Sequence, residues 1–223
     1  MLPPTDHKFE FINAYGNTSA FALQVLRRHG ALEKMSLLSV GSLMSHLADY
    51  LAIFREVHHA TLVKTCLPFT PEQSPAKFVL HQQDFFTLPS LDVDCIISHA
   101  AFHCFNDTRY GNEHSAEGIQ KPYRAAAKLR QIVGEKRVPA VVSIAVNRDE
   151  GSFDNNTHLS HDKFIAAFEK AGFGLRDYFF DYLHAGGIPH QDEHFNVEYR
   201  RSRQLPESSG SPKDWVVGNY YFC

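Results

Sequence analysis

The stretch Val93-Asp94-Cys95-Ile96-Ile97-Ser98-His99-Ala100-Ala101-Phe102-His103-Cys104-Phe105-Asn106-Asp107-Thr108-Arg109-Tyr110-Gly111 decides how this chain is read. It begins as a mainly apolar run, Val93 to Ile97, and then breaks into polar residues. Ser98, His99, His103, Asn106, Asp107, Arg109 and Tyr110 follow within a few positions of one another. A buried strand that delivers hydrogen-bonding and titratable groups at its exit is how open α/β sheets build sites.

Working outward, the neighbouring segments supply the rest of such a sheet. Upstream, Leu37 to Val40 is a short apolar run ending at Gly41, a buried strand with a turn. Leu43, Leu47, Tyr50, Leu51 and Phe54 recur at helical spacing, which predicts a helix from Leu43 to Val57. Ala60 to Cys66 reads as a second strand and Lys77 to His81 as a third, with Pro68, Pro71 and Pro75 making the link a loop. Before all of these, Ala20 to His29 has cap candidates at its start and Gly30 as its stop, a first helix. Downstream, Ser115 to Val133 is helical, Val138 to Val146 is a fifth and central strand, and Asn147 to Ser160 is a polar connection. A helix over His161 to Ala171 leads into strand-like runs at Leu175–Leu183, Phe195–Arg203 and Trp215–Phe222.

The expectation is one α/β domain spanning 1–223: a Rossmann-like, mostly parallel sheet with helices on both faces. Residues 1–16 form an N-terminal arm, and 173–223 an antiparallel, strand-rich closing segment. A hydrophobic content of 43% is enough for a substantial core. The net charge of -3 and pI of about 6.5 give no basic footprint for nucleic acid. No apolar run approaches the ~20 residues that cross a bilayer, and the N-terminal residues lack a secretory pattern. Four cysteines without Cys-x-x-Cys spacing read as free thiols of a cytoplasmic protein.

Each candidate residue has a chemical reason. Gly41 and Ser42 let backbone N–H groups approach a ligand. Asp84 is an acid just beyond the third strand, whereas the expected exit of the second, Lys64-Thr65-Cys66, lacks the acid that takes ribose hydroxyls. His99, His103 and Asp107 are four apart, so a helix after Ser98 would put all three on one face, a spacing that suits a divalent metal. The same histidines also read as a general base with its orienter, or as two hydrogen-bonded structural residues. With no acid–histidine–acid spacing elsewhere in the chain, metal is the weakest of the three readings. Arg109 and Arg148 offer planar forks for phosphate or carboxylate. Asn156 and His158 add amide and imidazole groups that hold sugar hydroxyls.

The order Val40-Gly41-Ser42, Gln83-Asp84-Phe85-Phe86, Asp94-Cys95-Ile96-Ile97-Ser98 resembles class I methyltransferases that use S-adenosylmethionine. More narrowly, Ser98, His103, Arg109-Tyr110-Gly111 and Gly118, then Val146, Asp149, Phe153 and Asn156-Thr157-His158, are similar to a methyltransferase-like family catalogued as domain of unknown function 268. The resemblance covers roughly 37 to 180. Three positions depart from that family: Phe102 stands for its glutamate, Asn112 for its aspartate and Leu159 for its arginine. The resemblance implies S-adenosylmethionine held by Gly41, Ser42, Asp84 and Ser98, with His103, Arg109 and His99 as catalytic residues. It also implies a sugar or small anionic acceptor held by Tyr110, Arg148, Asn156 and His158, with His103 taking the proton from its hydroxyl. Two alternatives stand beside this: a non-catalytic module of the same fold for carbohydrate or a protein partner, and a metal-dependent enzyme using His99, His103 and Asp107.

Overall fold

The central strands of the parallel half, over Ser36–Val40 and Cys95–His99, are buried at every position, so their partners in the sheet and the helices over them fix their position together. The computed structural model describes residues 19–41, 44–61, 76–99, 101–106, 116–147, 151–153, 156–185, 197–205 and 214–223. The parallel strands are β1 (Ser36–Val40), β2 (Glu56–Ala60), β3 (Lys77–His81), β4 (Cys95–His99) and β5 (Ala140–Asn147). They lie side by side in the order β3-β2-β1-β4-β5. The sheet continues into β10 (Asp214–Phe222), β8 (Leu175–Ala185) and β9 (Val197–Ser202), with β10 antiparallel to both β5 and β8. A hairpin of β6 (Gly151–Phe153) and β7 (Asn156–Ser160) joins the end of β5.

Alternate residues of each strand feed two separate cores. Leu37, Val57, Cys95, Ile97 and Val141 face a helix at 19–26 (α1) and α2 (Met44–Ile53), packing on Val25, Leu26, Leu47, Tyr50 and Phe54. Leu38, Val40, Ile96, Val142 and Ile144 face α3 (Ala116–Val133) and α4 (His161–Lys170), packing on Ala126, Leu129, Ile132, Phe164 and Phe168. Gly218 of β10 is required by close approach: a Cβ there would lie 2.5 Å from Tyr220 Oη. This leaves room for the fully buried Tyr220 ring, whose hydroxyl bonds His161 Nδ1 at 2.8 Å.

Two segments depart from the expectation. The helix over Leu43–Val57 stops at Ile53, and the second strand is Glu56–Ala60, not Ala60–Cys66. The Arg55 N–H bonds Met35 O, and Ser36 pairs with Glu56, so the chain is already in sheet register at Glu56. The polar connection from Asn147 to Ser160 contains the β6–β7 hairpin, because Leu159 and Ser160 extend the ladder of Val146 and Asn147.

The closing segment carries an ion pair whose carboxylate is buried and whose arginine reaches solvent. Asp181 is fully buried on β8 and accepts from Arg201 Nε at 2.8 Å, Arg201 Nη2 at 3.2 Å and Asn219 Nδ2 at 3.1 Å. The Arg201 guanidinium also lies 4.2 Å over the Phe179 ring. Removing the arginine strands a carboxylate in the sheet, a change that costs about 3–5 kcal/mol when both partners are buried. The Arg201 side chain is 45% exposed, so Arg201→Ala is expected to lose about 2 kcal/mol in urea denaturation after allowance for solvent screening. Arg201→Lys should restore only part, since it keeps charge without the fork. A loss under about 0.5 kcal/mol would mean the pair contributes nothing net.

Candidate active site at the carboxyl edge of the sheet

The strand order reverses between β1 and β4. The chain runs from β1 outward to β2 and β3, then returns to the other side of β1. Such a switch point opens a crevice outside the carboxyl ends of the two strands, where open α/β sheets bind ligands. Val40 and Ser98 are paired neighbours on its two walls. Directly after Val40, Gly41 takes φ 64°, and its N–H donates to Ala60 O at 2.9 Å. A side chain there would cost about 1–2 kcal/mol in the left-handed region, which is why the turn is glycine.

Ser98 and His99 leave the end of β4 on opposite faces. The Ser98 hydroxyl is fully buried and has no hydrogen-bond partner among the described residues. Buried polar atoms are nearly always satisfied, so an orphan of this kind at a crevice needs a reason. His99 is also buried, with Nδ1 3.1 Å from Ser143 Oγ on β5 and Nε2 3.4 Å from Ser19 Oγ on α1. Ser19 Oγ in turn lies 3.5 Å from the Tyr50 hydroxyl, whose pKa burial pushes well above the usual phenol value. His99 thus ties α1 and β5 to the switch point.

The shared helix face on which the metal reading rests does not form between His99 and His103, and Asp107 lies outside the described residues. β4 runs through His99 as strand, and the following 3-10 helix covers only Phe102–Asn106, so His99 and His103 do not share a helix. Among the described residues no group of three His, Cys, Asp or Glu side chains is placed to hold a metal ion. The backbone of His103 lies in that 3-10 helix, immediately past the carboxyl end of β4. Phe102, which replaces the resembling family's glutamate, is fully buried against Phe85, Phe105 and Phe168 at 5.9, 5.7 and 6.3 Å. Leu159, in place of its arginine, is equally buried in the same core. Both departures therefore exchange a charge for core packing beneath the crevice.

The second wall comes from β7. Asn156 and His158 lie on it, and β7 lies against both the end of β5 and the 3-10 helix holding His103. The Ser160 N–H, at its end, donates to the Tyr123 hydroxyl of α3 at 3.0 Å. Asp84 is exposed and caps the 3-10 turn Phe85–Thr87, with Oδ1 accepting from Phe86 N–H at 2.8 Å. β2 ends at Ala60 and is followed by Thr61, so the position that often carries a ribose-binding acid holds none. Ser42, Arg109, Tyr110 and Arg148 lie outside the described residues, as does the Lys64-Thr65-Cys66 segment.

Sequence reasoning missed Ser143 and Ser19, which only the sheet register and the packing of α1 bring to His99. It also missed a pair on the other side of the sheet, His58 Nδ1 and His81 Nε2 at 3.1 Å. The expected second strand, Ala60–Cys66, leaves His58 outside the sheet, so no sequence pattern aligns it with His81.

Five parallel strands in this order, an antiparallel strand set between β5 and β8, and a glycine turn after β1 define the Rossmann-like fold of class I methyltransferases. Solved structures share it. The YcgJ protein from Bacillus subtilis matches with TM-score 0.56 and 9% identity, over 92% of this chain and 98% of that one. A putative sarcosine dimethylglycine methyltransferase from Galdieria sulphuraria matches at 0.56 and 10%, over 92% and 84%. The 1,6-didemethyltoxoflavin-N1-methyltransferase of Burkholderia thailandensis, solved with 1,6-didemethyltoxoflavin and S-adenosylhomocysteine, matches at 0.53 and 11%, over 100% and 92%. At these identities the likeness is one of fold. No family profile matches the chain, and no curated protein matches it in sequence.

Proposed function

We propose that this chain is an S-adenosylmethionine-dependent methyltransferase acting on an oxygen of a sugar or small anionic acceptor. The observation that carries the reading is the buried Ser98 hydroxyl, which has no hydrogen-bond partner among the described residues and lies on the strand beside the one that ends at the left-handed Gly41. An open backbone turn, next to a strand end whose buried hydroxyl no described residue takes up, fits a small polar cofactor. When bound, S-adenosylmethionine supplies the activated methyl group. The backbone of Gly41 and Ser42 holds its amino-acid end, Ser98 offers a hydrogen bond, and Asp84 lies toward the adenine side. Ala60 and Thr61 mean that no carboxylate from the end of β2 takes part.

In this reading His103 accepts the proton of the attacking hydroxyl, because methyl transfer from oxygen needs a base within hydrogen-bond reach. Arg109 and Arg148 orient an anionic acceptor, with Tyr110, Asn156 and His158 around it. Both ring nitrogens of His99 face serine hydroxyls, so its part is to hold the walls together.

Calorimetric titration with S-adenosylmethionine and S-adenosylhomocysteine tests the reading. Saturable binding is expected, and Ser98→Ala should weaken it about tenfold, the equivalent of one hydrogen bond of about 1.4 kcal/mol. The same substitution removes an unsatisfied buried group, so it should leave the melting temperature of the ligand-free protein unchanged or raised. No binding at high micromolar cofactor would overturn the proposal. If His103→Ala kept both binding and turnover, the base would lie elsewhere.

A further inference from the structure

At the β2–β3 edge, two histidines face each other on the sheet face opposite His59. Register pairs His58 with Val79 and Ala60 with His81, which makes His58 and His81 diagonal neighbours. Their nitrogens, His58 Nδ1 and His81 Nε2, are 3.1 Å apart, and the ring planes differ by only 16°. Behind His58, Glu56 Oε1 lies 3.2 Å from Nε2 and is itself held by Lys77 Nζ at 2.7 Å. The carboxylate takes the Nε2–H of His58. That fixes the tautomer and leaves the Nδ1 lone pair pointing at His81.

We propose that His58 Nδ1 and His81 Nε2 form a chelating site for one borderline divalent transition-metal ion, copper(II), nickel(II) or zinc(II). Three features converge on this. Imidazole nitrogen is the donor these ions prefer. Two nitrogens at about 2.0–2.1 Å from a tetrahedral ion stand about 3.3 Å apart, so the present 3.1 Å spacing is close to that of a chelate, and each ring turns by about 35° to aim its lone pair at the ion. A metal-bound histidine usually gives its other N–H to a carboxylate, and Glu56 already stands there. In the metal-free protein His81 donates Nε2–H to His58. On binding, that proton moves to His81 Nδ1, so two neutral imidazoles present two lone pairs without net proton release. Water completes the coordination, since two side chains alone leave positions open. The site is independent of the cofactor reading, because it needs neither Gly41 nor Ser98.

Tag-free protein stripped with chelator and dialysed is titrated with copper(II), nickel(II) and zinc(II) chlorides by calorimetry, and the copper complex is examined by electron paramagnetic resonance. One ion per chain is expected, with copper(II) tightest by the Irving–Williams order and a signal split by two imidazole nitrogens. His81→Ala and His58→Ala should each abolish that site. Glu56→Gln should weaken it about 10–100-fold, the usual effect of losing the carboxylate behind a ligating histidine. Circular dichroism of the variants checks that they fold. The chain holds 14 histidines, so binding that is unchanged in folded His81→Ala protein would place the metal elsewhere and overturn the proposal, as would no binding by the unsubstituted protein.

Discussion

Phe168→Ala is expected to lower the unfolding free energy by about 3–5 kcal/mol, the range for deleting a fully buried aromatic ring. Phe168 has no exposed surface. Its ring stacks on Phe222 at 4.3 Å and meets Phe164 at 4.7 Å, Phe173 at 5.7 Å and Phe102 at 6.3 Å. Four elements thus meet on one side chain: α4, β10, the turn after α4 and the 3-10 helix beyond β4. Small domains have a total stability of about 5–15 kcal/mol, so the variant should be largely unfolded by mild denaturant, with an unchanged slope in urea if the transition stays two-state. Phe168→Leu should recover most of the loss, because it refills much of the volume. A cost for Ala below about 1.5 kcal/mol would show that the site collapses around the gap, and that the aromatic layer is not what joins α4 to the sheet.

The second large effect is acid sensitivity set by His59. It is buried under the sheet beside Ser39 Oγ, 3.3 Å from its Nδ1, and burial, with a smaller contribution from His81, pushes its pKa down to about 4. In the unfolded chain the same group titrates near 6.5. Between those two values the unfolded state carries a proton that the folded state refuses. Stability therefore falls as pH drops from 6.5 toward 4, and the loss levels off below. At about 1.4 kcal/mol per unit over that window, His59 alone accounts for a loss of about 3 kcal/mol. Burial also lowers the pKa of His58, His81 and His161, which adds loss of the same sign. Urea denaturation at several pH values, in the presence of chelator, should give a shallower pH slope for His59→Gln than for the unsubstituted chain. Parallel slopes would mean that His59 is protonated in the folded state at mild acid pH.

The parallel half of the sheet was legible where apolar runs end in a clear stop. Leu37 to Gly41, Lys77 to His81 and Val138 to Val146 each became a strand with nearly the expected bounds. β2 was misplaced for a physical reason: its core includes His58 and His59, so the apolar signal is broken, while Val57 falls three positions after Phe54 and extends the helical period of α2. The β6–β7 hairpin was hidden because its stability comes from pairing with β5, not from its own polar side chains. At the site, the convergence of the two stretches past β4 and β5 could be anticipated from chain order. The roles of Ser98 and His99 could not. Period-two alternation puts neighbours on opposite faces, but only the packed structure shows which of the two has no hydrogen-bond partner among the described residues and which is clasped by Ser143 and Ser19.

The placement of β10 has a consequence for how the chain is made. Val217 pairs with Ala145 on one side and Asp181 on the other, so β8 and β9 reach the parallel sheet only through a strand that follows them in sequence. While a ribosome is still extending the chain before β10, β5 and β8 both present open edges, the kind of surface that recruits other strands. Closure waits on a contact spanning the whole segment between β5 and β10, which is slow to form because loop entropy is lost before the contact is gained. Chaperone dependence during synthesis would then be governed by the interval between the emergence of β5 and that of β10, more than by the stability of the finished fold.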